Sequence, residues 1–196
     1  EAIYPTPIVG ALGLLEEVTR HVTLAFQEPG DVVVLLGAAE VRGEARDLAG
    51  SEYLEVVHGL VAGGPRIDLE LERRVQELCR RAIAQGVVRS AHDCSDGGLA
   101  VALAECAIAG KVGFQGQFTV QGRWDAALFG EAQSRVVVSL PPGRLGELEG
   151  LAREAGVPLV VLGRVAARGF QVPGLMELEM ERVEHAWRHG LEEALR

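Results

Sequence analysis

The chain has 196 residues, 48% of them apolar, and a formal net charge of −9 at pH 7. This length fits one large domain or two small ones, and an acidic balance without a basic cluster excludes nucleic acid as the expected partner. The longest uninterrupted apolar run, Val32 to Ala39, is too short to span a bilayer.

The sequence opens at Glu1 without a methionine and passes directly into Ile3-Tyr4-Pro5-Thr6-Pro7, which reads as the interior of a longer polypeptide. No charged-then-apolar leader stands at this start, so cytoplasmic residence is the expectation. Ile8 to Leu14, apolar with Gly10 and Gly13 interspersed, is expected to form a strand with close backbone packing. Asp31-Val32-Val33-Val34-Leu35-Leu36 follows a Pro29-Gly30 turn and reads as a fully buried strand. Ser51 is placed to cap a helix from Glu52 to about Val61, ended by Gly63-Gly64-Pro65. Leu71, Val75, Leu78, Cys79, Ala82 and Ile83 repeat at three-and-four spacing and predict a helix from Asp68 to Gln85, stopping at Gly86. Arg73, Arg74, Arg80 and Arg81 fall mostly on its other, solvated face.

Val87 to Ala91 is expected to be a strand leading into the most informative stretch, Ser90-Ala91-His92-Asp93-Cys94-Ser95-Asp96-Gly97-Gly98-Leu99-Ala100. The helix that follows, to about Ala109, is apolar nearly all round and should be buried between layers, with Glu105 hydrogen-bonded or at its rim. Unpaired N–H groups at such a helix start face outward, and the helix dipole favours an anion there. Gly97 and Gly98 lack the side chains that would hold a phosphate or carboxylate at a distance. Ser95 and Asp96 are also ordinary capping residues, so the pattern alone leaves both a capped helix and an anion site open.

Phe114 to Val120 alternates as a strand does, and Trp124 to Phe129 reads as a short helix. Val136 to Leu140 is a further strand, turned by Pro141-Pro142-Gly143 into a helix from Leu145 to Ala155. Leu159 to Val165 and Met176 to Met180 read as strands. Val183 to Leu195 closes the chain as an amphipathic helix with Trp187 and Leu191 inward. Strands alternating with helices indicate an α/β fold, a sheet covered by helices.

Cys79, Cys94 and Cys106 are odd in number and form no Cys-x-x-Cys, as expected of reduced thiols. His185 and His189 have the spacing of a metal pair but lack a third ligand, and read as two histidines on a surface helix. Eighteen arginines stand against one lysine, and asparagine is absent. Loss of thermolabile asparagine is one mark of heat-adapted proteins.

Three phrases read together resemble one family. His92-Asp93-Cys94-Ser95-Asp96-Gly97-Gly98-Leu99 is similar to the His-Asp-x-Ser-Asp-Gly-Gly-Leu segment of phosphoribosylformylglycinamidine synthase, in its synthetase (large) subunit. Tyr4-Pro5-Thr6-Pro7-Ile8-Val9-Gly10 resembles that family's Pro-Thr-Pro segment, and Leu128-Phe129-Gly130-Glu131-Ala132-Gln133-Ser134-Arg135 its Phe-Gly-Glu-x-Gln-x-Arg segment. Gly50-Ser51-Glu52-Tyr53 is similar to a further family phrase, and order and spacing fit across nearly the whole chain.

The resemblance implies that residues 1–196 are a single C-terminal α/β domain, the last of four in a two-half synthetase. It implies a mixed β-sheet covered by helices, the C-terminal domain of the aminoimidazole ribonucleotide synthetase-like fold. The implied reaction consumes ATP with Mg2+ and converts an amide to an amidine with glutamine-derived ammonia, in purine biosynthesis. Implied partners are the upstream domains, a glutaminase subunit and a small accessory subunit. Such a fragment is expected to be inactive by itself and free to self-associate. Residue by residue, the resemblance makes Asp93 the metal candidate. His92, Ser95, Asp96, Gly97 and Gly98 become phosphate or nucleotide candidates, and Glu131, Gln133 and Arg135 substrate candidates. Cys94 stands where the family commonly has a small or apolar residue, which argues against a nucleophile. The alternatives are a related ATP-dependent enzyme, such as aminoimidazole ribonucleotide synthetase or a selenophosphate synthetase-like protein, and a non-catalytic scaffold that holds nucleotide.

Overall fold

The computed structural model describes residues 9–15 and 17–195; the Tyr4-Pro5-Thr6-Pro7 phrase lies outside the described residues. In chain order the elements are strands β1 (Val32–Leu36) and β2 (Val41–Gly43), helices α1 (Glu52–His58) and α2 (Leu69–Ala84), and β3 (Ser90–Asp93). There follow α3 (Gly98–Gly110), β4 (Gly113–Gly116), β5 (Val120–Gly122), α4 (Trp124–Phe129), β6 (Val136–Leu140) and α5 (Leu145–Ala155). The chain continues with β7 (Leu159–Ala166), β8 (Phe170–Val172), β9 (Met176–Leu178) and α6 (Met180–Ala194).

β1 is buried at every position because both faces of the sheet are covered. The two-residue period of a strand sends Val33 and Leu35 to one apolar cluster, and Val32, Val34 and Leu36 to the other. The first cluster is completed by Leu99, Leu103 and Cys106 of α3 and by Leu128 of α4. The second is completed by Val75, Leu78 and Ala82 of α2 and by Leu148 and Ala152 of α5. Each fully buried Leu or Val in these layers contributes about 1.5–3 kcal/mol relative to exposure.

The seven-stranded sheet has the order β3-β6-β1-β7-β4-β8-β9. Its pairs are antiparallel except β4 with β8, where Phe114 lies opposite Phe170 in parallel register, so the sheet is mixed. A separate parallel pair, β2 with β5, sets Val41 opposite Val120. At the start of β1, Asp31 is 3% exposed and is held by Arg89 Nη1 at 2.8 and 3.1 Å from its two oxygens.

Several boundaries differ from the sequence expectation. Residues 9–14 of the first expected strand carry no regular structure and are exposed. α1 ends at His58, short of Val61, because Gly59 adopts a left-handed φ of 64° and its N–H donates to Glu55 O. β3 begins at Ser90, not Val87. The expected Phe114 to Val120 strand divides into β4 and β5, and the three-residue β2 and β8 were not foreseen. α6 has no buried residue. Leu191 is 75% exposed and Trp187 55%, so neither is a core residue. Trp187 instead leans over the edge of α3, its Nε1 3.4 Å from Glu105 Oε1. Cys94 and Cys106 are buried, Cys79 is half-buried, and all three are free thiols. Among the described residues no helix is long and apolar enough to cross a membrane.

Candidate functional site

β3 is held by β6 from Ser90 opposite Ser139 to Asp93 opposite Val136. The next N–H, that of buried Cys94, donates to Arg135 O at 2.9 Å. The chain then turns, with the Gly98 N–H donating to Ser95 O. Gly97 and Gly98 both take left-handed backbone, at φ 77° and 68°, a conformation that costs little only for glycine. The turn is therefore available to this sequence and to few others.

The space left by the two absent side chains is filled by the protein itself. A methyl group on Gly98 would come within 2.5 Å of Gly130 O and 3.0 Å of Leu128 O. On Gly97 it would meet Val101 Cγ2 at 2.5 Å. The stretch carrying the Phe-Gly-Glu phrase thus lies directly against the glycine turn. Tyr53 stacks on Phe129 with ring centroids 5.0 Å apart, which brings the Gly-Ser-Glu-Tyr phrase to the same place.

Glu131 closes the arrangement. Its Oε1 accepts the Gly97 N–H at 2.9 Å and the Glu52 N–H, the first of α1, also at 2.9 Å. Its own N–H donates to Asp47 O at 3.0 Å. Arg135 donates from Nε to Ala132 O at 3.0 Å and from Nη2 to Gly130 O. Of the substrate candidates, Glu131 and Arg135 are thus engaged with backbone. The exposed Gln133 amide donates to the neighbouring Glu131 O. Between Gln133 and Arg135, Ser134 takes a left-handed φ of 63° and buries a hydroxyl that has no hydrogen-bond partner among the described residues.

On the other side of the turn runs a chain of side chains. Glu105 Oε2 lies 2.8 Å from His92 Nε2, and His92 Nδ1 lies 3.6 Å from Asp93 Oδ1. The Ser95 hydroxyl donates to Asp93 Oδ2. That hydroxyl is the main reason the Asp93 carboxyl is held below its ordinary range, against the opposing effect of burial. Burial pushes the Cys94 thiol up to about 11, so a thiolate nucleophile does not form there near neutrality. Asp93, Ser95 and Asp96 are exposed. His92 was visible in the sequence, but its partner Glu105 was legible only as a polar break in an apolar helix.

Among the described residues no group of three or more His, Cys, Asp or Glu is placed to hold a metal ion. Asp93 alone does not build such a site. His185 and His189 lie on exposed α6, paired with Glu193 and Glu192. Beside the turn, a cleft of about 410 Å3 is walled by Arg46, Arg66, Asp68, Glu131 and Gln133.

Residues 28–173 match the family described as AIR synthase related protein, C-terminal domain. The chain is 46% identical, over 98% of its length, to the phosphoribosylformylglycinamidine synthase subunit PurL of Thermomicrobium roseum. It is 41% identical, over 97%, to that of Moorella thermoacetica. Each alignment covers 26% of the relative, so the chain spans about a quarter of their length. Among solved structures, Thermotoga maritima PurL complexed with FGAR superposes with a TM-score of 0.71 at 19% identity, over 85% of this chain and 30% of that one. Thiamine-monophosphate kinase from Stenotrophomonas maltophilia superposes at 0.54 and 22% identity, over 78% and 53%. These two likenesses are likenesses of fold.

Proposed function

The chain belongs to the AIR synthase related protein C-terminal domain family, and from that premise we propose that it is the C-terminal domain of the synthetase subunit of phosphoribosylformylglycinamidine synthase. The observation that carries this reading is the 46% identity over 98% of the chain to a subunit of that name. In the proposed reaction the glycinamide carbonyl oxygen of formylglycinamide ribonucleotide, not that of its formyl group, takes the γ-phosphoryl group of ATP, releasing ADP. Ammonia then adds to the same carbon, the new C–N bond forms and phosphate leaves, giving formylglycinamidine ribonucleotide. Such chemistry is governed by positioning and by stabilising phosphoryl charge.

Within this reading the groups open to a ligand are the exposed Asp93, Ser95 and Asp96 and the Gln133 amide. His92 is oriented by Glu105. Glu131 and Arg135 shape the loop from within, and the two glycines set its conformation. Asp93 would serve Mg2+ only together with donors from outside this chain. The remainder of the site, with ATP and substrate, belongs to the upstream domains, and the isolated chain has no turnover. A glutaminase subunit supplies ammonia and a small accessory subunit completes the complex. A fold neighbour described as PurLQS from Thermotoga maritima supports an assembly of that kind. Cytoplasmic residence follows from the same reading.

One observation favours a second reading, in which the domain is a scaffold. Glu131 and Arg135 are spent on backbone partners. The discriminating experiment replaces the matching quarter of the Thermomicrobium roseum subunit by this chain. ATP- and ammonia-dependent formation of formylglycinamidine ribonucleotide supports the assignment. A folded chimera that lacks this activity, or that cyclises formylglycinamidine ribonucleotide instead, overturns it. In the same chimera Asp93→Asn lowers turnover with the fold intact if the domain takes part in the site, and weakens only assembly if it is a scaffold.

A further inference from the structure

A helix start with two left-handed glycines is built to receive an anion, and in this chain the anion is present. Glu131 Oε1 stands 2.9 Å from the Gly97 N–H, in the place of any outside oxyanion bonded to that N–H. The same oxygen takes the Glu52 N–H at 2.9 Å, so it also ties the turn to the start of α1. The carboxylate is held there by its surroundings. The Glu131 N–H is fixed to Asp47 O, the preceding carbonyl is gripped by Arg135, and the Gly130 backbone rests against Gly98. A ligand phosphate could reach the Gly97 N–H only by displacing a charged acceptor from two backbone donors. Hydrogen bonds to charged acceptors are stronger than those to neutral ones.

We propose that Glu131 is a positioning residue that acts as the internal anion of the glycine turn, and that this turn takes no outside phosphate while the carboxylate is in place. Any nucleotide held by the domain must then be met by groups other than the Gly97 amide. This assignment stands on the geometry of the chain and does not depend on which reaction the parent protein performs.

Hydrogen–deuterium exchange on the intact polypeptide carrying this chain tests it, read in the peptides that contain Glu52 and Gly97, with and without inorganic phosphate. In the native protein both peptides are protected and phosphate leaves them unchanged. In Glu131→Ala exchange rises about tenfold or more in both, as expected for losing a charged acceptor, and phosphate restores protection at Gly97. That restoration would not accompany a purely structural loss. Glu131→Gln keeps an acceptor oxygen without the charge and so guards against misfolding of the alanine variant. Its expected result is a severalfold rise in both peptides. The proposal is overturned if phosphate protects Gly97 in the native protein as strongly as in Glu131→Ala. It is equally overturned if Glu131→Gln exchanges like the native protein.

Discussion

At the scale of single residues, the two most exacting positions are Gly98 and Asp93. Gly98→Ala combines a left-handed φ with a methyl group 2.5 Å from Gly130 O. Such strain costs about 1–3 kcal/mol, so the midpoint of urea unfolding should fall accordingly. An unchanged midpoint would mean that the Phe-Gly-Glu segment yields freely. Asp93 is held below its ordinary carboxylate range chiefly by the Ser95 hydroxyl. A carboxyl lowered in the folded state contributes stability above its unfolded pKa and loses it as pH falls through the folded value. Asp93 is 69% exposed, so solvent screens most of that contribution. The useful observable is therefore the titration itself. Ser95→Ala should move the Asp93 carboxyl upward toward the ordinary range in a 13C NMR titration, with little effect on unfolding.

At the scale of elements, one ion pair ties the residue before β1 to the residue before β3, across β6. Asp31 is 3% exposed and Arg89 reaches both its oxygens. Arg89→Met leaves that buried carboxylate without its cation, a change that typically costs about 3–5 kcal/mol. Guanidinium unfolding should show a loss of this size; a loss below about 1 kcal/mol would place the pair with ordinary surface bridges. The helices were readable element by element. α2 carries its own cap, with Asp68 accepting from the Glu70 and Leu71 N–H groups, and its buried face repeats at helical spacing. β2 and β8, three residues each, carry too little of a period to be read, whereas β9 was expected only as part of a longer run, Met176 to Met180.

At the scale of the whole molecule, several large apolar side chains face solvent. Leu12, Leu14, Val56, Val61, Leu69, Leu191 and Leu195 are each more than 70% exposed, and exposed apolar area of this kind favours association. Sedimentation velocity on this chain alone should show concentration-dependent self-association; a strictly monomeric boundary at high concentration would contradict it. The absence of asparagine predicts a melting temperature above the range of about 45–65 °C usual for mesophile domains, and calorimetry decides it. The sequence by itself determined β1, α2, α3, α4, β6 and α5, with their ends within a residue or two, because each carries its own periodicity and stop signals. It also determined the family, through phrases whose residues are contiguous. Only the tertiary structure decided what the glycine turn meets. Glu131 reaches Gly97 across 34 residues and Glu52 across 79. A single carboxylate bonded to distant backbone N–H groups leaves no repeating pattern in the chain, and its place is set only when the sheet brings the turn, α1 and the Phe-Gly-Glu loop together.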